Sequence, residues 1–208
     1  MLSTEDVKFL VCPRAQCRGA LEFIGDAKRG RLRGGRLLCR RCQRGWPVRG
    51  GIAYLVDEST LSFSDRLARL GYELYAPFHD LAVDYLLPLL QLEAAPRENY
   101  ARQLRLEELR PRQDAPLRIL EVGIGGGANL PLIARHLAPH LDAQVWGVDL
   151  SRGMLEQCAE RVRAEHSRLA VRLLVADAHA LPFPAASFER VLHVGAIASY
   201  GNPALGLA

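Results

Sequence analysis

The sequence predicts an α/β chain: a small β module held by cysteines, then a helical stretch, then a parallel sheet with crossover helices. Three observations carry this. Four of the five cysteines form two close pairs, Cys12 with Cys17 and Cys39 with Cys42. The stretch "LRILEVGIGGGANL", Leu117 to Leu130, is an apolar run that breaks into glycines and restarts as a helix. Apolar runs then alternate with helical patterns, which is the order of a parallel sheet. The boundaries are 1–58 for the cysteine module, 59–114 for the helical segment and 115–208 for the sheet module.

Charge separates the modules as well. Residues 1–56 hold twelve Lys/Arg against four Asp/Glu, a surplus of eight within a chain whose net charge is only +4, so the remainder is acidic. With 49% hydrophobic and 24% charged residues the composition is that of an ordinary globular protein. The longest apolar-rich stretch, "LAVDYLLPLLQL", contains Asp84 and Pro88 and is too short to span a bilayer. The opening "MLSTEDVKFL" lacks the basic start of a signal peptide, so a cytoplasmic location is the default expectation.

The cysteine module comes first. "CPRAQC" and "CRRC" are two short turns that a hairpin can bring together, and four thiolates suit the tetrahedral preference of Zn²⁺. A reducing compartment argues against two disulfides. Between the pairs, "GALEFIGDAKRGRLRGGRLL" reads as strand, polar turn, strand, with strands at Leu21–Ile24 and Leu37–Leu38; "GIAYLV" follows as a third apolar strand. The arginines of this region make RNA a candidate contact, although no aromatic residue is interleaved in the run to stack bases. "CPRAQCRGAL…LLCRRCQRGWPVRGGIAYLV" resembles the Trm112-type zinc ribbon, matching at Trp46-Pro47-Val48 and Gly51-Ile52 and departing at Ala53 and in its wider first knuckle. The resemblance implies a small zinc module that attaches to methyltransferases.

Residues 59–112 carry Leu, Ala and Tyr at helical spacing, interrupted by Pro77, Pro88 and Pro96, with Ser64-Asp65 as the expected cap. Tyr72, Tyr75, Phe78 and His79 suit either helix packing or the cover of a ligand pocket.

The sheet module opens with a buried-strand pattern, "LRILEV", followed by Gly123, Gly125 and Gly127. Glycines there permit a tight turn and let a ligand rest on bare backbone. The same letters fit a dinucleotide fingerprint. Three acids tilt the choice toward S-adenosylmethionine (SAM). Glu121 precedes the loop, where a carboxylate suits a cationic sulfonium and ammonium and not a pyrophosphate. Asp149 ends "AQVWGVD" and can accept from ribose hydroxyls. Asp177 ends "VRLLVAD" and can accept from an adenine amino group, or can simply cap the turn after it. His193 ends "RVLH", either as a core histidine or beside the methionine end of the ligand. Cys158, inside a helical pattern, reads as a packed thiol.

From Leu117 to about Pro203 the chain resembles class I SAM-dependent methyltransferases, in particular the group of ubiquinone and menaquinone methyltransferases. The motifs are "EVGIGGG" (Glu121, Gly123, Gly125), "GVDLSRGML" (Asp149, Leu150, Met154), "ADAHALPF" (Asp177, Ala178) and "SFERVLHVGAI" (His193). The resemblance implies a Rossmann-like methyltransferase sheet and methyl transfer to a small molecule in preference to RNA. It assigns no catalytic base; His79 and His193 are candidates. A sheet of this family has seven strands, and here the fourth ends near Val194, so the expectation is a chain lacking the C-terminal strands. Strand four then becomes an exposed edge that invites a second copy or a completing partner. The alternatives are a SAM-binding or zinc-ribbon interaction protein without activity.

Overall fold

The computed structural model describes residues 1–67, 69–71, 96–112, 115–164 and 169–194. Tyr72, Tyr75, Phe78 and His79 lie outside these residues. Eight strands form one mixed sheet: β1 (Leu21–Lys28), β2 (Arg31–Cys39), β3 (Gly45–Arg49), β4 (Ile52–Leu55), β5 (Leu117–Val122), β6 (Ala143–Asp149), β7 (Ala170–Ala176) and β8 (Arg190–His193). Their spatial order is β1-β2-β3-β4-β7-β6-β5-β8. The described helices are α1 (Thr4–Val7), α2 (Pro96–Gln103), α3 (Leu130–His136) and α4 (Arg152–Ala164). None is long and apolar enough to cross a membrane.

Strands β5 to β7 are buried along almost their whole length, as their runs of Val, Leu and Ile require when both faces are covered. Helices α3 and α4 cover one face, packing Ile133, Leu155 and Cys158 against Ile119, Val145 and Leu173. The other face is covered by the N-terminal segment, the cysteine module and the Leu181–Phe188 loop. There Leu2, Leu37, Trp46 and Phe183 meet Leu120, Trp146 and Leu174. Phe9 sits 5.1 Å from the Trp146 ring, and Phe183 lies edge-on to Phe188 at 4.8 Å.

Two local expectations are corrected. The hairpin strands are longer than Leu21–Ile24 and Leu37–Leu38. Arg29 and Gly30 both adopt positive φ (51° and 74°), making a two-residue turn, so pairing runs from Leu21 opposite Cys39 to Lys28 opposite Arg31. The helical start near residue 63 is capped by Ser62 and not Ser64: Asp65 N–H donates to Ser62 Oγ at 3.1 Å, and Ser62 N–H donates to Asp65 Oδ2 at 3.2 Å.

The largest structural consequence lies at β4. "IAYL" pairs antiparallel with β3 on one side and parallel with β7 on the other, with Ala53 opposite Leu174 and Leu55 opposite Ala176. The cysteine module thereby continues the parallel sheet. Arg18 reinforces the junction, donating to the carbonyls of Leu181 (2.7 Å) and Phe183, while Arg172 Nε lies 2.6 Å from Asp6 Oδ2.

Candidate functional site

The first cluster is the four cysteines. Their Sγ atoms all lie within 4.8 Å of one another, with Cys12–Cys42 at 3.8 Å and Cys17–Cys39 at 3.5 Å. A disulfide needs about 2.05 Å, so these are thiols. Four thiolates at about 2.3 Å from one ion stand about 3.8 Å apart, which is the observed scale. The surroundings suit that chemistry. Cys42 N–H points at Cys39 Sγ (3.5 Å). The Arg44 N–H holds the Cys42 thiol down at about 6, while burial pushes Cys12 up to about 12. Gly19 has no side chain because a Cβ there would stand 2.9 Å from Cys39 Sγ and 2.6 Å from Arg41 Cβ. The donor set fits Zn²⁺.

The second cluster lies at the carboxyl ends of the parallel strands. Three adjacent strands each deliver one acid there: Glu121 within the last turn of β5, Asp149 closing β6, and Asp177 just past β7. The glycine loop joins the first two. Gly123 and Ile124 donate to the Val148 carbonyl at 2.8 and 3.1 Å. Gly123, Gly125 and Gly127 all adopt positive φ (72°, 52° and 81°), which side chains resist. A Cβ on Gly127 would stand 2.7 Å from Cys158 Sγ.

Each acid has a defined setting. Glu121 is 1% exposed and accepts a hydrogen bond from Asn129 Nδ2 at 2.7 Å. Asp149 accepts from Gly125 N–H (2.9 Å) and Ser151 N–H (2.8 Å), one on each oxygen. Asp177 does cap the turn after it: its Oδ1 accepts from His179 N–H at 2.9 Å and lies 2.7 Å from His179 Nδ1. His193 stands opposite Val122 on β5 and donates from Nδ1 to the Val122 carbonyl at 2.7 Å. That tautomer places the basic lone pair on Nε2. Met154 is buried and Leu150 and Ala178 are partly buried; Leu150 directly follows Asp149, Ala178 directly follows Asp177, and Met154 lies in the first turns of α4. The Cys158 thiol is buried and pushed up to about 12 by that burial, so it packs and does not attack.

Two supporting residues were missed in the sequence. Asn129 orients Glu121. Ser151, 1% exposed, accepts from Met154 N–H at 3.2 Å and so starts α4 beside Asp149. Ser151 precedes a helix, where Ser is an expected cap, so that signal was available; Asn129 also precedes one but makes no side-chain cap bond, and its role at Glu121 had no signal in the sequence.

Comparisons with known proteins match the region that contains this cluster. A family model described as a methyltransferase domain matches residues 119–206. The demethylmenaquinone methyltransferase of Thermus thermophilus is 43% identical over 79 residues, which are 38% of this chain and 34% of that protein. The phosphatidylethanolamine N-methyltransferase of Cereibacter sphaeroides is 36% identical over 75 residues, 36% of this chain and 34% of that protein. The aligned region thus spans about a third of each relative. Among solved structures, the cyclase SpnF superposes with a TM-score of 0.50 at 18% identity, over 67% of this chain and 52% of that one, which shows a shared fold.

Proposed function

We propose, from the premise that residues 119–206 carry a class I methyltransferase domain, that this chain binds SAM at the glycine loop and transfers its methyl group to a small-molecule or lipid acceptor. The observation that carries the reading is the row of three carboxylates, Glu121, Asp149 and Asp177, one per strand end. Such a row repels the pyrophosphate of a dinucleotide and suits a ligand bearing an ammonium, a sulfonium, two ribose hydroxyls and an adenine amine.

In this reading Glu121, steadied by Asn129, faces the cationic end of the ligand. Asp149 accepts from the ribose, Asp177 Oδ2 accepts from the adenine amine, and Gly123 and Gly125 let the ligand lie on the backbone. Leu150, Met154 and Ala178 line the nucleoside, and His193, held through Nδ1 by the Val122 carbonyl, stands near the methionine end. When bound, SAM supplies an electrophilic methyl group; the protein contributes alignment and exclusion of water. We further assign Zn²⁺ to Cys12, Cys17, Cys39 and Cys42, as a structural ion of residues 1–58, with 59–114 bridging to 115–208. The β8 edge is the proposed contact for a second copy or a completing partner. Support for a small-molecule or lipid acceptor comes from the two relatives, one named for demethylmenaquinone and one for phosphatidylethanolamine.

A second reading, ligand binding without methyl transfer, has one observation behind it: a protein sharing this fold is a cyclase, and fold does not dictate reaction. Calorimetry with SAM and NADH, then detection of S-adenosylhomocysteine with trial acceptors, separates the two. SAM is expected to bind more tightly than NADH. Asp149→Ala is expected to weaken SAM binding by about 1–3 kcal/mol, through loss of the hydroxyl contacts. Preference for NADH, or an Asp149→Ala variant with unchanged SAM affinity, contradicts the proposal. Binding without product favours the second reading.

A further inference from the structure

On the junction between the cysteine module and the parallel sheet lies a cleft of about 740 Å³, within the usual range for small-ligand sites. Five arginines line it: Arg44, Arg49, Arg66, Arg69 and Arg152. Among the described residues the only carboxylate in its lining is Glu58. The arginines come from three parts of the chain, around β3 (Arg44, Arg49), the helical stretch from residue 63 (Arg66, Arg69) and the start of α4 (Arg152), so only the folded molecule assembles them. Arg44 lies 4.9 Å over the Trp46 ring, and Arg49 and Arg152 lie 5.6 and 6.0 Å over Tyr54, which holds the guanidinium groups in place. Arg44 pairs with Asp57 (3.3 Å), Arg69 with Glu58 (2.6 Å) and Arg152 with Glu156 (2.7 Å). Arg49 and Arg66 have no carboxylate partner among the described residues. The cleft therefore holds an excess of fixed positive charge.

Beside it runs an apolar stripe. Residues 63–67 and 69–71 are helical, and Phe63, Leu67 and Leu70 recur at i, i+4 and i+7 on one side. They are 82%, 58% and 57% exposed, and Leu70 also lines the cleft. Arg66 and Arg69 sit on the same helix, one position before Leu67 and Leu70. A large exposed apolar stripe bordered by arginines is the pattern of a helix that rests in a bilayer interface. A nucleic acid strand has use for the arginines and could stack a base on Phe63, but has none for the aliphatic Leu67 and Leu70. A phospholipid has use for both, phosphate to the guanidiniums and acyl chain along the stripe.

We propose that the arginine cleft and the Phe63–Leu67–Leu70 stripe form one docking site for an anionic phospholipid headgroup at a membrane surface. The site holds the protein at the bilayer peripherally and reversibly, since one short stripe buries little apolar area. It uses none of the residues assigned to SAM, so it stands or falls apart from the methyl-transfer reading.

The test is flotation of the full chain, without SAM, on vesicles of phosphatidylcholine alone and with added phosphatidylglycerol. Binding is expected only to the anionic vesicles and is expected to weaken as salt rises. Arg49→Gln with Arg66→Gln, both exposed, is expected to lower the partition coefficient on the order of tenfold. Phe63→Ser with Leu67→Ser is expected to reduce vesicle binding as well, with circular dichroism unchanged in both variants. Absence of binding to the anionic vesicles overturns the proposal, and so does parent-like binding by either variant. A single-stranded oligonucleotide that binds at the cleft while vesicles do not replaces the lipid with nucleic acid.

Discussion

At the scale of single residues, the site depends on positions where a side chain is excluded. Gly127 combines a φ of 81° with a phantom Cβ 2.7 Å from Cys158 Sγ and 2.9 Å from Leu130 Cδ1. Gly127→Ala must strain the backbone and displace a buried thiol together with the first residue of α3. Thermal unfolding is expected to show a loss of about 1–3 kcal/mol, with SAM affinity falling because the loop shifts. A Gly127→Ala variant with parent-like melting and binding removes the close-packing account. The acids were legible in the sequence because each follows an apolar run whose end can be counted. Their partners were not. Nothing in the order of residues says that Asn129 reaches back to Glu121, or that Ser151 and Gly125 share the two oxygens of Asp149.

At the scale of elements, the cysteine module and the sheet are mechanically joined. Cys39 closes β2, β3 and β4 follow within a few residues, and β4 hydrogen-bonds to β7, which ends at Ala176, one residue before Asp177. Zinc affinity in such modules is folding energy. One equivalent of zinc is expected in the purified protein by elemental analysis. Cys39→Ser, or prolonged chelation, is expected to release it, expose β1 to β3 to hydrogen exchange, and weaken SAM binding through the β4–β7 ladder. A metal-free protein whose module stays protected sinks the zinc assignment. Release of zinc with no change at the SAM site would leave the ion assigned and break the coupling. The hairpin was read too short because its arginines and glycines resemble a loop. The two-residue turn at Arg29-Gly30 carries them into the strands instead.

At the scale of the molecule, β8 is the outer strand of the described sheet, and Val191 on it is 57% exposed. An unpaired apolar edge recruits another strand. The 208-residue chain is expected to associate as its concentration rises, measured by light scattering, and Val191→Lys is expected to shift it toward monomer. A chain that stays monomeric at every concentration, with slow amide exchange across 190–193, argues that this edge is already satisfied. The sequence by itself determined the strand–glycine–helix unit, the three acids and the four-cysteine set, because each is local: a period, a turn residue or a spacing. Only the tertiary structure decided that β4 extends the parallel sheet, that both faces share their cores with the N-terminal segment and helices, and that five scattered arginines converge on one cleft. Those depend on contacts between residues distant in sequence, up to the pairing of Ala53 with Leu174 across β4 and β7, which local propensity does not encode.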